Sequence, residues 1–242
     1  MSQESSQGQT SRSLAANGTF FRDRMASYRK SIEELEIYAN IHASLSDAIS
    51  GSGRLVDIGN GGSCDYDTRL VREITAIDLF FDEILPGHPP PANVTLKKGS
   101  ALDLPEPDQS YDCAVMAMLI HHLVGTNVDE CLKNVRRALR EAHRVLRPGG
   151  KIVVAESCVG PFFYQFERLV FPLVSPVINA LIEHPATIQY TPQMLRAEIE
   201  NVFEGPVEMK EIPRGQWLLH YGFKFPCALS PARPFQFCAS RR

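Results

Sequence analysis

Short apolar runs separated by polar turns dominate the middle of the chain, and several read as buried strands. They are Leu55-Val56 running into Asp57, Ile74 to Leu79, Val94 to Lys98, Tyr111 to Met118, and Lys151 to Glu156. Helical periodicity fills the spaces between them. Met25, Tyr28, Ile32, Leu35, Ile41, Leu45 and Ile49 recur at helix spacing before the first strand. Val128, Cys131, Leu132, Val135, Leu139, Ala142 and Leu146 mark a second helix, stopped by Pro148 and two glycines. Thr191-Pro192 has the form of an N-cap followed by proline at the first helical position. Alternating strand and helix signals predict an α/β fold with a mainly parallel sheet.

The pattern near position 60 is the most informative. A buried strand meets Asp57-Ile-Gly-Asn-Gly-Gly-Ser-Cys64, then Tyr66 to Arg72, which can open a helix whose amides face the loop. A phosphate-binding P-loop needs Lys followed by Ser or Thr after its last glycine, and Ser63-Cys64 does not supply it. A dinucleotide fingerprint is met at Gly59 and Gly61 but not at Cys64. An acid two residues before the first glycine is the remaining pattern. Asp78 closes the second strand, where a carboxylate can accept from both hydroxyls of a ribose.

The loop resembles that of the class I S-adenosylmethionine (SAM) methyltransferases, with Asn60 and Ser63 departing from the usual residues. Tyr111-Asp-Cys-Ala-Val running to Leu119-Ile-His-His122 resembles the family's small-molecule branch. Leu139-Arg-Glu-Ala-His-Arg-Val-Leu-Arg-Pro-Gly-Gly-Lys151 resembles its turn into the fifth strand. The resemblance covers about residues 50–225. It implies a Rossmann-like seven-stranded sheet, mostly parallel, with helices on both faces. An antiparallel hairpin closes it, expected from 207–212 and 216–225, with the tail after Pro226 irregular. The expected organisation is a disordered tail (1–17), an N-terminal helical extension (18–50) and a SAM-binding domain (51–242). A cap insertion is expected at about 160–190.

The resemblance also implies a site. Asp57, Gly59, Asn60, Gly61, Asp78, Leu79, Ser100, Ala101, Leu102, Met116, Ala117 and His121 would hold the cofactor. Ser100 replaces the family's adenine-binding Asp. Tyr28, Phe162, Phe163, Tyr164 and Phe166 would line an acceptor pocket. His121 and His122 are the candidate proton acceptors, since a neutral imidazole takes an acidic proton near neutral pH.

Composition narrows the function. The 242 residues carry 25 Lys plus Arg against 28 Asp plus Glu, a formal charge of −3, so nothing points to nucleic acid. The basic residues Lys133, Arg136, Arg137, Arg140 and Arg144 read as the solvated face of one helix. Six cysteines without a Cys-x-x-Cys pair read as reduced thiols in a cytoplasmic protein, and no metal is expected. The polar start of the sequence lacks the apolar core of a signal peptide, so secretion is not expected, and Pro172 and Pro176 interrupt the longest apolar run, so no membrane span is expected. The leading expectation is methyl transfer from SAM to a small organic acceptor, with an oxygen of a secondary metabolite favoured. An RNA or protein methyltransferase and a non-catalytic SAM-binding protein are the alternatives. The sequence does not set the oligomeric state.

Overall fold

The computed structural model describes residues 35–80, 89–170, 187–220 and 223–242. The expected tail, the first part of the extension with Tyr28, and the later part of the insertion lie outside these residues. Helix α1 (Glu36–Ile49) precedes β1 (Arg54–Ile58), β2 (Glu73–Asp78), β3 (Val94–Lys98) and β4 (Tyr111–Ala117). Helix α2 (Val128–Val145), β5 (Leu146–Cys158) and α3, helical over 161–170, follow. Helix α4 (Pro192–Phe203), β6 (Glu208–Glu211), β7 (Trp217–His220), β8 (Phe223–Pro226) and β9 (Arg233–Ser240) complete the order.

The main sheet has seven strands in the order β3-β2-β1-β4-β5-β9-β6. Pairing is parallel from β3 through β5 and antiparallel on either side of β9. The strand order reverses beside β1, with β2 on one side and β4 on the other. Loops leaving the carboxyl ends of β1 and β4 therefore border one crevice.

Alternation along the strands divides the core between the two sheet faces. Val56, Ala114, Met116, Ile152 and Val154 meet α2 and α4 through Cys131, Val135, Leu139, Leu195, Ile199 and Phe203. Leu55, Cys113, Val115, Val153 and Ala155 meet Ile41, Leu45 and Ile49 of α1. Covering both faces explains why the strands read as nearly unbroken apolar runs.

The helix boundaries follow from local chemistry. Asn127 caps α2 by accepting from the Glu130 amide, with Asp129 and Glu130 in the first turn and His143 and Arg144 in the last. Thr191 caps α4, with Pro192 in its first turn, as the sequence predicts. Two of the basic residues of α2 are spent internally. Arg136 grips Glu198 of α4 through two 2.7 Å contacts. Arg144 holds Glu141, Asp108 and the carbonyls of Leu104 and Glu106. Among the described residues, no helix is long and apolar enough to cross a membrane.

Two expectations are corrected. The closing antiparallel pair is β9 with β6, not 207–212 with 216–225. Residues 217–220 pair instead with 223–226 in a separate ribbon. The tail after Pro226 is therefore not irregular throughout, since β9 lies between β5 and β6. Prolines at 226, 231 and 234 conceal this strand in the sequence, yet Pro234 occupies its second position and still supplies a carbonyl to the Ile212 amide. The second correction concerns Tyr66 to Arg72, where a 3-10 turn, Thr68–Leu70, replaces a full helix. Tyr66 is drawn inward (2% exposed), and Asn93 Nδ2 donates to the carbonyls of Thr68 and Val71. A helix needs those carbonyls for its own ladder.

Phe237 of β9 is fully buried. Phe237→Ala is expected to destabilise the fold by about 3–5 kcal/mol in urea unfolding, the range for an emptied aromatic core site. A loss below about 1 kcal/mol would contradict a core position for β9.

Candidate active site

The crevice begins where β1 ends. The Gly59 amide donates to the Ile77 carbonyl at 2.8 Å, extending the β1–β2 ladder by one residue. Gly59 (φ 71°) and Gly61 (φ 62°) have left-handed backbones that disfavour side chains, and a Cβ at Gly59 would collide with Leu119. The turn is braced from below. Asp57, 2% exposed, accepts from the Tyr66 hydroxyl at 2.8 Å and from Asn60 Nδ2. Asn60 Nδ2 also donates to the Ser63 carbonyl at 2.9 Å. Asn60 thus ties the loop to itself, and its side chain is occupied with the fold.

Asp78 takes the Gly61 amide on Oδ2 and the Phe80 amide on Oδ1, both at 2.9 Å. The Leu79 amide also bonds this carboxylate, which still keeps acceptor capacity for a ribose hydroxyl. Burial raises the pKa of Asp78, while these amides oppose the rise. Leu79 beside it is 37% exposed. The turn after β3 carries Ser100, whose Oγ accepts the Leu102 amide at 3.1 Å, and Ala101 and Leu102 rest against the core. The cradle fits an adenosyl group. Glycine backbone leaves room for close approach, and an acid of the ribose-binding kind stands at the end of the neighbouring strand.

The other wall is built from β4 and β5. Ala117 ends β4, and Met118 is left-handed (φ 52°), its amide donating to the Ala155 carbonyl at 2.8 Å. A 3-10 turn, Ile120–His122, follows. Glu156 of β5, 1% exposed, reaches into that turn. Its Oε2 accepts the amides of Ile120 at 2.7 Å and His121 at 3.3 Å. Its Oε1 lies 2.6 Å from His121 Nδ1 and accepts the Ser157 amide at 2.7 Å. These backbone partners are donors, and so is Nδ1 when it carries the ring hydrogen. An ionised, acceptor-only carboxylate suits this set. The His121 side chain is 14% exposed, and the His122 ring lies 4.2 Å from it.

A third group comes from α3. Glu167 accepts the Gln189 amide at 3.2 Å, and burial pushes its carboxyl up to about 7, opposed by the charge of nearby His121. Tyr164 is 5% exposed, and its ring lies 6.4 Å from that of Tyr190, whose fully buried hydroxyl has no hydrogen-bond partner among the described residues.

The predicted site residues therefore fall into groups. Gly59, Gly61, Asp78 and Leu79 meet at the first wall, and His121 and His122 stand at the second. Met116 is wholly buried in the core. Phe163 packs on the core, whereas Phe162 is 88% and Phe166 55% exposed. Sequence reasoning missed Tyr66, Glu156 and Glu167. Glu156 did leave a signal, as an acid ending the apolar run Ile152-Val-Val-Ala155.

Residues 56–154 match the family model described as a methyltransferase domain. The match runs from β1 into β5 and so takes in both walls of the crevice. A demethylmenaquinone methyltransferase of Tropheryma whipplei is 32% identical over 107 residues, covering 42% of this chain and 38% of that protein. The chain thus spans under half the length of that curated relative. A ubiquinone/menaquinone biosynthesis C-methyltransferase of Syntrophotalea carbinolica is 28% identical over 161 residues, covering 62% of this chain and 64% of the relative. The solved structure of a SAM-dependent methyltransferase from Thermotoga maritima superposes with a TM-score of 0.58 and 16% identity. It covers 93% of this chain and 99% of that one, and so supports the fold.

Beneath the glycine loop, burial pushes the Asp57 carboxyl up from 3.8 to about 7, against its bonds from Tyr66 and Asn60. The protonated form is favoured in the folded state. Its stabilising contribution is complete below about pH 4 and is lost as pH rises through about 7. Asp57→Asn should flatten the fall in stability across that window. Thermal unfolding of both proteins from pH 4 to 8 measures it, and parallel curves would refute the assignment.

Proposed function

We propose that this domain transfers the methyl group of SAM to a small organic acceptor. The favoured acceptor atom is the oxygen of an acidic hydroxyl, as in a phenolic metabolite. The observation that carries this reading is the 2.6 Å contact between His121 Nδ1 and Glu156. A carboxylate on one ring nitrogen places the hydrogen there and leaves Nε2 free to accept a proton. The bound cofactor supplies a methyl already activated on a sulfonium. Transfer of that methyl would leave S-adenosylhomocysteine, and His121 would take the proton that the acceptor hydroxyl gives up. The protein's remaining work is alignment and exclusion of water. Gly59 and Gly61 would admit the cofactor closely, and Asp78 would fix its ribose.

A second reading moves the methyl to a ring carbon beside the hydroxyl. The C-methyltransferase of Syntrophotalea carbinolica, a relative of this chain, favours it. Removing the hydroxyl proton enriches that carbon with electrons, so the same imidazole serves both outcomes. Transfer of labelled methyl to phenols and quinols, with NMR of the product, separates oxygen from carbon. Label found in RNA or protein and never in a small molecule would overturn the proposal.

Asp78→Ala is expected to weaken SAM binding by about 1–3 kcal/mol in isothermal titration, the range for hydrogen bonds to a charged group. Unchanged affinity in a folded variant would remove Asp78 from the site.

A further inference from the structure

The proposed transfer leaves open why a carboxylate should be buried behind the histidine. Glu156 is 1% exposed at the end of the apolar run Ile152 to Ala155. Burying a charge there costs several kcal/mol unless hydrogen bonds replace its water. Tying β5 to the next turn would not require that charge, because a neutral acceptor can receive an amide. The arrangement around Glu156 is more specific than a tie. Three of its contacts go to one turn: the amides of Ile120 and His121 and the His121 ring at Nδ1. The same carboxylate therefore sets the height of the turn, the direction of the ring and the nitrogen that bears the hydrogen.

We infer that Glu156 is a positioning residue for His121, holding its imidazole as the Nδ1–H tautomer so that Nε2 receives the acceptor's proton, and stabilising the imidazolium that results. The inference rests on the methyl-transfer reading for its kinetic consequence, but its structural part stands without it. Among the described residues, the charged or titratable groups around the His121 ring are Glu156 from β5, Glu167 from α3 and His122 within its own turn. When the ring gains a proton, the Glu156 carboxylate is already in contact and needs no rearrangement.

Two measurements test this. The first is 15N NMR of the imidazoles in the full-length wild-type protein, with and without S-adenosylhomocysteine, His121 being assigned by its loss in His121→Asn. The neutral His121 ring should carry its hydrogen on Nδ1. In Glu156→Gln it should become a tautomer mixture. A wild-type ring with hydrogen on Nε2 overturns the inference, even if the Gln variant fails to fold.

The second is a kinetic cycle of Glu156→Gln, His121→Asn and the double variant. Glu156→Gln should lower kcat about tenfold to a hundredfold, within the span of general-base effects. KM for SAM should stay within about twofold, as expected when an interaction made only in the transition state is lost. The acid limb of its pH–rate profile should move to lower pH, because an imidazolium without its carboxylate loses its proton more readily. Profiles taken in a Glu167→Gln background keep the second carboxyl from contributing to that limb. In the double variant, Glu156→Gln should cost nothing beyond His121→Asn. Full additivity of the two losses, or an unmoved acid limb, would show that Glu156 serves the fold alone. Failure of the methyl-transfer reading looks different: no substrate turns over in any variant, while the NMR result is unaffected.

Discussion

The carboxyl edge of a parallel sheet poses a recurring problem of unpaired backbone. Each strand hands the chain to a loop whose amides have left the ladder, and the crevice between loops must nonetheless stay open to a ligand. This protein solves the problem with acids placed at the strand ends. Asp78 takes amides from the glycine loop and from the residues after β2. Glu156 takes amides from the turn after β4 and from its own strand. Asp57 receives side-chain donors, Asn60 and Tyr66, that brace the loop from beneath. The two walls of the crevice are thus fixed by the same kind of contact, and each wall presents a different chemistry to what lies between.

Much of this was legible in the chain. The parallel strands appear as apolar runs because both sheet faces are covered, and the helix caps at Asn127 and Thr191 follow ordinary side-chain chemistry. The glycine spacing and Asp78 located one wall of the site. What stayed hidden depends on contacts between distant residues. The missing helix after the loop turns on Asn93, which takes carbonyls from a segment more than twenty residues earlier. Strand β9 is disguised by prolines that its place in the sheet tolerates. The pairing of His121 with Glu156 spans 35 residues, and no local pattern announces it.

The cysteines and two of the basic residues are accounted for by their local surroundings. All six cysteines are free, and burial raises several of their pKa values rather than activating them. Arg136 and Arg144 bind groups of the protein itself.

The position of β9 also governs the route by which the chain reaches its native state. β6 leaves the ribosome first but has no place in the sheet until β9 arrives to separate it from β5. Half of the carboxyl-terminal sheet therefore assembles in a single late event, with long sequence separation and a correspondingly slow closure. Until then the β5 edge stands bare in the nascent chain, a surface on which chaperones or a neighbouring polypeptide would compete with the strand that belongs there.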